Sequence, residues 1–517
     1  MPHSGPLLEE PVQVSRLLQR GLQARPDEPV LISMERRLTW AELEHATNRL
    51  AANYLALGLK PGDRVASLMP NRVALLTHYV ACFKAGLVAT PLNYRYTPPE
   101  INHALEVSDA AIILAHTERA TDIAASKASS LPLGVVTYGA SESAGPSFEQ
   151  LVEDEPPTGS LPRPEADAPA AIFFTSGSTG PAKGVTHSYE SLGWMFASAA
   201  KSFELTASDV LLPGSSCSHI GGFAFSFSAI SAGASVIVAR AYDHEELGPL
   251  LRATRPTVLS MLPTSLLRLI REHDISKDDF RSLRLCRSGG DKVSAELEKE
   301  FIALTGHPVV EGYGMSEIGL AALNPPSGVV KLGSVGSPNP GFVFSIRHEE
   351  GHELPHGQEG RLWVRTPSQT SGYWNNPDAS AEVIQDGWLD TGDVMKADED
   401  GYLWFCGRKK QIIVHDGSNI CPQEVEEALL EHPAVENAGV IGVHDLMHGE
   451  NVRAYVEIKS GATRPKAREL IQFARERVGY KAPEEIVFLD AMPLNPTGKV
   501  DRVTLKKLAA GDHAHHV

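Results

Sequence analysis

The sequence predicts an α/β protein in which a large N-terminal domain of doubly wound, mostly parallel sheets with a β-rich subdomain precedes a small α/β C-terminal domain. Three observations point there. Short apolar runs alternate with helix-period segments between residues 30 and 115 and again between 235 and 288, the order that builds parallel sheet covered on both faces. From Leu332 to Phe405 short strand-like runs are separated by turns such as Glu350-Gly351 and Asp398-Glu-Asp-Gly401. Past Gly407-Arg-Lys-Lys410 a further strand and helix alternation begins. A chain of 517 residues exceeds one hydrophobic core, so we expect domains over 1–408, with the β-rich part near 332–405, and over 409–517.

Each element has a local reason. Thr39 and Glu42 make a capping box, Leu43, Ala46, Leu50, Tyr54 and Leu57 recur at helical spacing, and Gly58 can end that helix. Strands are then expected over 64–69, 88–92 and 110–115, with a helix over 72–84. Residues 141–169, rich in Pro, Glu and Ser, predict a surface connection leading to a strand at Ala170-Ala-Ile-Phe-Phe174. The stretch 210–239 carries no Asp, Glu, Lys or Arg, yet Pro213, its glycines and its serines break it into a loop, a buried helix and a buried strand over 235–239 rather than a membrane span. Helices over 243–254 and 264–272 alternate with strands over 257–261 and 283–288. In the C-terminal domain, helices over 422–432 and 465–477 accompany strands over 438–443 and 453–458.

Composition narrows the function. Apolar content of 42% and charge of 21% are those of a soluble globular protein, and a net charge of −17 argues against nucleic-acid or anionic-membrane binding. From Lys409 onward 14 basic residues face 16 acidic ones, so nearly all the acidic excess precedes a near-neutral tail domain that suits a polyanionic ligand. Five scattered cysteines without a CxxC pair, and an N-terminus lacking a long apolar core, predict reduced thiols and a cytoplasmic location.

The chemistry centres on Thr175-Ser-Gly-Ser-Thr-Gly-Pro-Ala-Lys-Gly184. Its three glycines admit tight turns with N–H groups facing an anion, its four hydroxyls add donors, and Lys183 adds a point charge, which together read as a polyphosphate cradle. It differs from a Walker loop, because Ala182 stands where the second Gly belongs. Five further stretches follow in order: His219-Ile-Gly-Gly222, Ser288-Gly-Gly290, Glu311-Gly-Tyr-Gly-Met-Ser-Glu317, Trp388-Leu-Asp-Thr-Gly-Asp393 with Gly407-Arg408, and Pro493-Leu-Asn-Pro-Thr-Gly-Lys499. Together the six resemble the adenylate-forming superfamily of acyl-CoA synthetases, non-ribosomal adenylation domains and beetle luciferases.

The resemblance implies roles. Thr175, Ser176, Gly177, Ser178, Thr179, Gly180 and Lys183 would hold the β- and γ-phosphates of ATP. Gly290, Asp291, Glu311, Gly312, Tyr313 and Gly314 would surround AMP, with Tyr313 on adenine, while Ser316 donates to the α-phosphate and Glu317 holds magnesium beside Thr179. Asp393 would accept both ribose hydroxyls and Arg408 would contact ribose or phosphate. Lys499 would stabilise the charge shared by the attacking carboxylate and the α-phosphoryl oxygens. His219, Gly222, Phe223, Gly290 and Gly314 would line the acyl site, Lys410 would be the hinge of a mobile C-terminal domain, and Gly417, Ser418 and Asn419 would meet coenzyme A. Arg464, Lys466, Arg468, Arg475 and Lys481 would either contact the CoA phosphates or form a solvated face.

Three departures stand out: Asp291-Lys292 where many relatives have Ala-Pro, Arg361 in place of a Glu, and Val414-His415 in a stretch that often carries Lys. His444 with His448, and His513, His515 and His516 in an expected disordered tail, do not read as zinc sites. The implied activity is an ATP-dependent, AMP-forming carboxylate–CoA ligase acting on an apolar medium-chain or aromatic acid. A homodimer is compatible with the family. The alternatives are an adenylating enzyme that serves a carrier protein, an amine or another acceptor, and a non-catalytic nucleotide-binding protein.

Overall fold

The computed structural model describes the chain except residues 1–2, 140–144, 158, 176–181, 241, 243, 272–274, 290–292, 294, 409–410, 416–417, 446–448, 496–497 and 514–517, and except the side chains of 244, 264, 295, 414, 418, 419, 449 and 511–513. It forms two compact units: residues 1–345, 364–389 and 401–403 in the first, and 346–363, 390–400 and 404–517 in the second.

Two mixed sheets organise the first unit. A seven-stranded sheet runs in the order Gly372–Tyr373, Lys183–Ser188, Pro169–Thr175, Val88–Pro91, Arg64–Leu68, Ala110–His116 and Val135–Tyr138. Its last five strands are parallel, whereas the first two pair antiparallel. A nine-stranded sheet has a parallel centre that includes Val210–Gly214, Val258–Met261, Leu285–Gly289 and Val309–Met315, with antiparallel strands at both edges. Helices cover these sheets, so strands such as Val258–Met261 are buried at every residue and read as continuous apolar or small runs.

The helix Trp40–Ala56 shows how local chemistry sets an element. The Thr39 hydroxyl accepts from the Glu42 N–H at 3.2 Å, and Glu42 Oε2 accepts from the Thr39 N–H at 2.7 Å. Leu43, Leu50 and Tyr54 are fully buried on its inner face. The uncharged stretch holds the expected helix, Ile220–Ser231, and strand, Ser235–Ile237, but it begins with strand Val210–Gly214 where a loop is expected. Among the described residues no helix is long and apolar enough to cross a membrane. One expectation needs correction: the connection before the cradle strand includes helix Phe148–Glu153, capped by Ser147 and Gln150, which buries Phe148 and Leu151.

The second unit holds a five-stranded sheet ordered Ser418–Ile420, Ile413–His415, Gly449–Ile458 and Val435–Asp445, with Glu485–Leu489 alongside Gly449–Ile458. Helices Pro422–Leu430 and Ala467–Val478 pack on it, and Val425, Leu429, Val440, Val456 and Leu470 form its core. Helix Arg502–His513 runs through His513, so that residue is not part of a structureless tail.

Candidate active site

The cradle residues Ser176, Gly177, Ser178, Thr179 and Gly180 lie outside the described residues, but the strands that carry them are defined. Pro169–Thr175 and Lys183–Ser188 pair antiparallel with Thr175 opposite Lys183, so the loop springs from a closed strand end. The Lys183 ammonium stands 4.9 Å from the centroid of the Tyr373 ring. Tyr373 Oη in turn donates to Glu317 Oε1 at 3.0 Å. Burial, with Glu317 beside it, pushes the phenol well above its ordinary value, so it remains a donor.

The Glu311–Glu317 segment forms one arm of a hairpin, Val309–Met315 against Gly319–Leu323, with a bulge between Tyr313 and Gly314. Close backbone approach explains Gly314: a Cβ there would stand 2.3 Å from the Gly319 oxygen. At Gly312 a Cβ would stand 2.9 Å from Leu323 Cδ1. Tyr313 is only 8% exposed. Glu311 is buried, accepts from the Val293 N–H at 3.3 Å and faces Arg287, whose guanidinium lies 5.1 Å from the centre of the Phe225 ring. Burial pushes Arg287 down to about 10, and Glu311 opposes that shift.

His187 joins the two halves of this region. Its Nε2 lies 2.7 Å from the Ser316 main-chain oxygen and its Nδ1 lies 3.2 Å from Ser191 Oγ. A carbonyl can only accept, so Nε2 carries the proton. Burial pushes this histidine down to about 4, and it is neutral at pH 7.

Among the residues expected at the acyl site, His219 caps helix Ile220–Ser231 in an extended conformation, and its carbonyl accepts from the Phe223 N–H at 3.0 Å. A Cβ on Gly222 would stand 2.4 Å from the Ser216 oxygen, so this glycine lets the helix start pack against the preceding turn. Phe223 is fully buried, with ring centroids of Phe227, Phe173 and Tyr79 at 4.7, 4.9 and 5.3 Å, so it packs within an aromatic cluster of the core. Gly290, Asp291 and Lys292 lie outside the described residues.

In the second unit, Arg408 Nε approaches buried Asp393 Oδ1 to 2.9 Å. Thr391 Oγ1 accepts from the Asp393 N–H at 3.1 Å, and Asp390 Oδ1 accepts from the Gly392 N–H at 3.1 Å. Arg361, the unusual residue, forms an ion pair with Asp390 and so braces the strand Trp388–Ala397 that carries Asp393. Exposed Lys499 ends a tight loop in which the Asn495 N–H donates to its carbonyl at 2.7 Å and its own N–H donates to Asn495 Oδ1 at 3.0 Å. Ser418 and Asn419 open the strand Ser418–Ile420, with Asn419 opposite Val414. Lys410 and Gly417 lie outside the described residues. Arg464 stacks 3.9 Å from the Phe488 centroid and Lys481 bonds Glu424 at 2.7 Å.

Among the described residues one histidine group resembles a metal centre. His348, Glu350 and His352 bring potential ligand atoms within 4.8 Å of one another on an exposed hairpin. The two imidazoles stack at 4.8 Å with planes 20° apart, and the Nδ1 atom of each lies 3.9 Å from Glu350 Oε2. Sequence reasoning missed Tyr373, His187 and the bracing by Arg361. The short aromatic run Gly372-Tyr-Trp374 was the available signal for the first.

A mixed α/β body carrying a hydroxyl- and glycine-rich loop, followed by a small α/β unit, has the architecture of an adenylate-forming enzyme. Comparison with known proteins agrees. The AMP-binding enzyme family matches residues 18–374, and the AMP-binding enzyme C-terminal domain matches 424–499. The chain is 33% identical over 505 residues to the fatty acid–[acyl-carrier-protein] ligase ScoC of Streptomyces coeruleorubidus, covering 96% of each chain. It is 34% identical over 472 residues to a feruloyl-CoA synthase of an Amycolatopsis species, covering 90% of this chain and 92% of that one. The ATP-bound crystal structure of MatB from Rhodopseudomonas palustris superposes with a TM-score of 0.87 at 30% identity, covering 96% and 98% of the two chains. The protein belongs to the AMP-binding enzyme family and is an AMP-forming acid–thiol ligase.

Proposed function

We propose that this enzyme activates an apolar medium-chain or aromatic carboxylic acid with ATP and transfers the acyl group to coenzyme A. The observation that carries the reading is the linked set Lys183, Tyr373, Glu317, Ser316 and His187, which binds the strand leaving the phosphate loop to the Glu311–Glu317 segment.

In the first step a carboxylate oxygen attacks the α-phosphorus, the bond to the bridging oxygen breaks, and pyrophosphate leaves with the electron pair. Lys183 and the 175–180 loop hold the departing phosphates, Ser316 donates to an α-phosphoryl oxygen, and Asp393, braced by Arg408, accepts from the ribose hydroxyls. Lys499 supplies an ammonium to the reacting oxygens and offsets the charge that accumulates there. A buried carboxylate at Glu317 with a hydroxyl at Thr179 is an all-oxygen donor set that fits magnesium, which would neutralise phosphate charge when bound. In the second step the CoA thiolate attacks the acyl carbonyl, the bond to AMP breaks, and the thiol proton goes to solvent. For this step we assign the hinge to Lys410, with 409–517 as the mobile domain, the pantetheine contacts to Gly417, Ser418 and Asn419, and the gate to His219.

The apolar character of helix Ile220–Ser231, which has no charged residue, supports an apolar acid, and the feruloyl-CoA synthase relative supports an aromatic one. The carrier-protein ligase relative favours a second reading in which the acceptor is a phosphopantetheinylated carrier. Mass analysis of products from a panel of acids, offered CoA and carrier separately, tests both. An acyl-CoA supports the first reading, and an acyl-carrier with no acyl-CoA replaces it with the second.

A further inference from the structure

Tyr373 belongs to none of the six motifs, yet it touches two residues that they contain. Its hydroxyl donates to Glu317 Oε1 at 3.0 Å, and the face of its ring receives the Lys183 ammonium at 4.9 Å. The backbone that holds it is fixed on both sides. Tyr373 pairs with Val185 on the strand leaving the cradle, its N–H donates to Ser380 Oγ at 2.8 Å, and the following Trp374 N–H donates to the Gly184 oxygen at 2.7 Å. The Thr370 N–H donates to the Glu317 main-chain oxygen at 2.7 Å, so the same short segment grips the carboxylate residue by main chain and side chain. Gly372, with φ of +121°, sets the bend, and a Cβ there would stand 2.8 Å from Ser380 Oγ.

We propose that Tyr373 is a positioning residue for the metal-dependent half-reaction, holding Glu317 by its hydroxyl and Lys183 by its ring so that cation and carboxylate stay apart and remain available to magnesium and triphosphate. A lysine and a glutamate in one small site attract each other, and an ion pair between them would have to break before the nucleotide complex could bind. The phenol satisfies both without neutralising either: the hydroxyl orients one carboxylate oxygen, and the ring face offers the ammonium a weaker partner than a phosphate. This inference rests on the adenylating reading of the same site.

The test uses the full chain with Tyr373→Phe and Tyr373→Leu. Calorimetry of ATP binding with and without magnesium, in the absence of any acid, reads the site without turnover. For Tyr373→Phe we expect the magnesium-dependent gain in ATP affinity to fall about tenfold while metal-free binding holds. For Tyr373→Leu metal-free binding weakens as well, because Lys183 loses its ring. Acid-dependent exchange of pyrophosphate into ATP should then need about tenfold more magnesium in Tyr373→Phe, whereas thioester formation from supplied acyl-adenylate is unchanged. A Tyr373→Phe protein with the parent's full magnesium gain, or one that loses both half-reactions equally, overturns the proposal. Failure of the parent enzyme to exchange with any acid would instead overturn the adenylating reading, and the calorimetric arm would still decide the role of Tyr373.

Discussion

His187 Nε2 donates to the main-chain oxygen of Ser316 at 2.7 Å, across 129 residues of chain. The bond fastens the strand that leaves the phosphate loop to the residue expected to face the α-phosphate. It also fixes a protonation state, because burial pushes His187 down to about 4.

A pH dependence of stability follows. Below pH 6.5 the unfolded chain takes up a proton at His187 that the folded chain refuses until about pH 4, so stability falls as pH drops through that window and is unaffected above it. His78, buried beside Tyr54 Oη at 2.8 Å and pushed down to about 3, acts in the same direction. Each contributes at most about 1.4 kcal/mol per pH unit. Thermal melts between pH 7.5 and 5 should show a steepening loss in the parent. His187→Gln, which retains a donor but does not titrate, should flatten the slope, and an unchanged slope would contradict the assignment.

Phe223→Ala should destabilise the protein by about 3–5 kcal/mol, because it empties space among Phe227, Phe173 and Tyr79. Its preference among acids, measured as relative kcat/KM, should hold. A stable variant with altered acid preference would return Phe223 to the pocket wall.

Asp393→Asn should raise the KM for ATP about 10- to 100-fold with a smaller effect on the KM for the acid, since it would weaken the charged hydrogen bonds proposed to the ribose together with the pair to Arg408. Arg361→Glu should act in the same direction by repelling Asp390, which lies three residues before Asp393 on strand Trp388–Ala397. Equal effects on both substrates would point to general misfolding of that strand.

Much of this was legible in the sequence because it depends on short spacings. The capping box at Thr39 and Glu42, the helical period through Tyr54 and the loop between Thr175 and Lys183 all lie within a dozen or so residues, where periodicity and turn chemistry act. What was not legible depends on distant partners. Tyr373 meets Glu317 across 56 residues and His187 meets Ser316 across 129, and neither contact leaves a local pattern. The phenylalanines at 223, 225 and 227 show a different limit. Their spacing of two suits one face of a strand, but on helix Ile220–Ser231 Phe223 and Phe227 share a face while Phe225 turns away toward Phe203 and Arg287. The helix at Phe148–Glu153 was masked by the Pro, Glu and Ser around it.

We propose that Lys499 serves the adenylating step and not the thioester step. The most direct measurement is acid-dependent exchange of labelled pyrophosphate into ATP by the parent and by Lys499→Ala, beside thioester formation from supplied acyl-adenylate and CoA. We expect exchange that requires an acid and falls about 10²- to 10³-fold in the variant, with thioester formation retained. Exchange that survives Lys499→Ala, or loss of both reactions in equal measure, would contradict it.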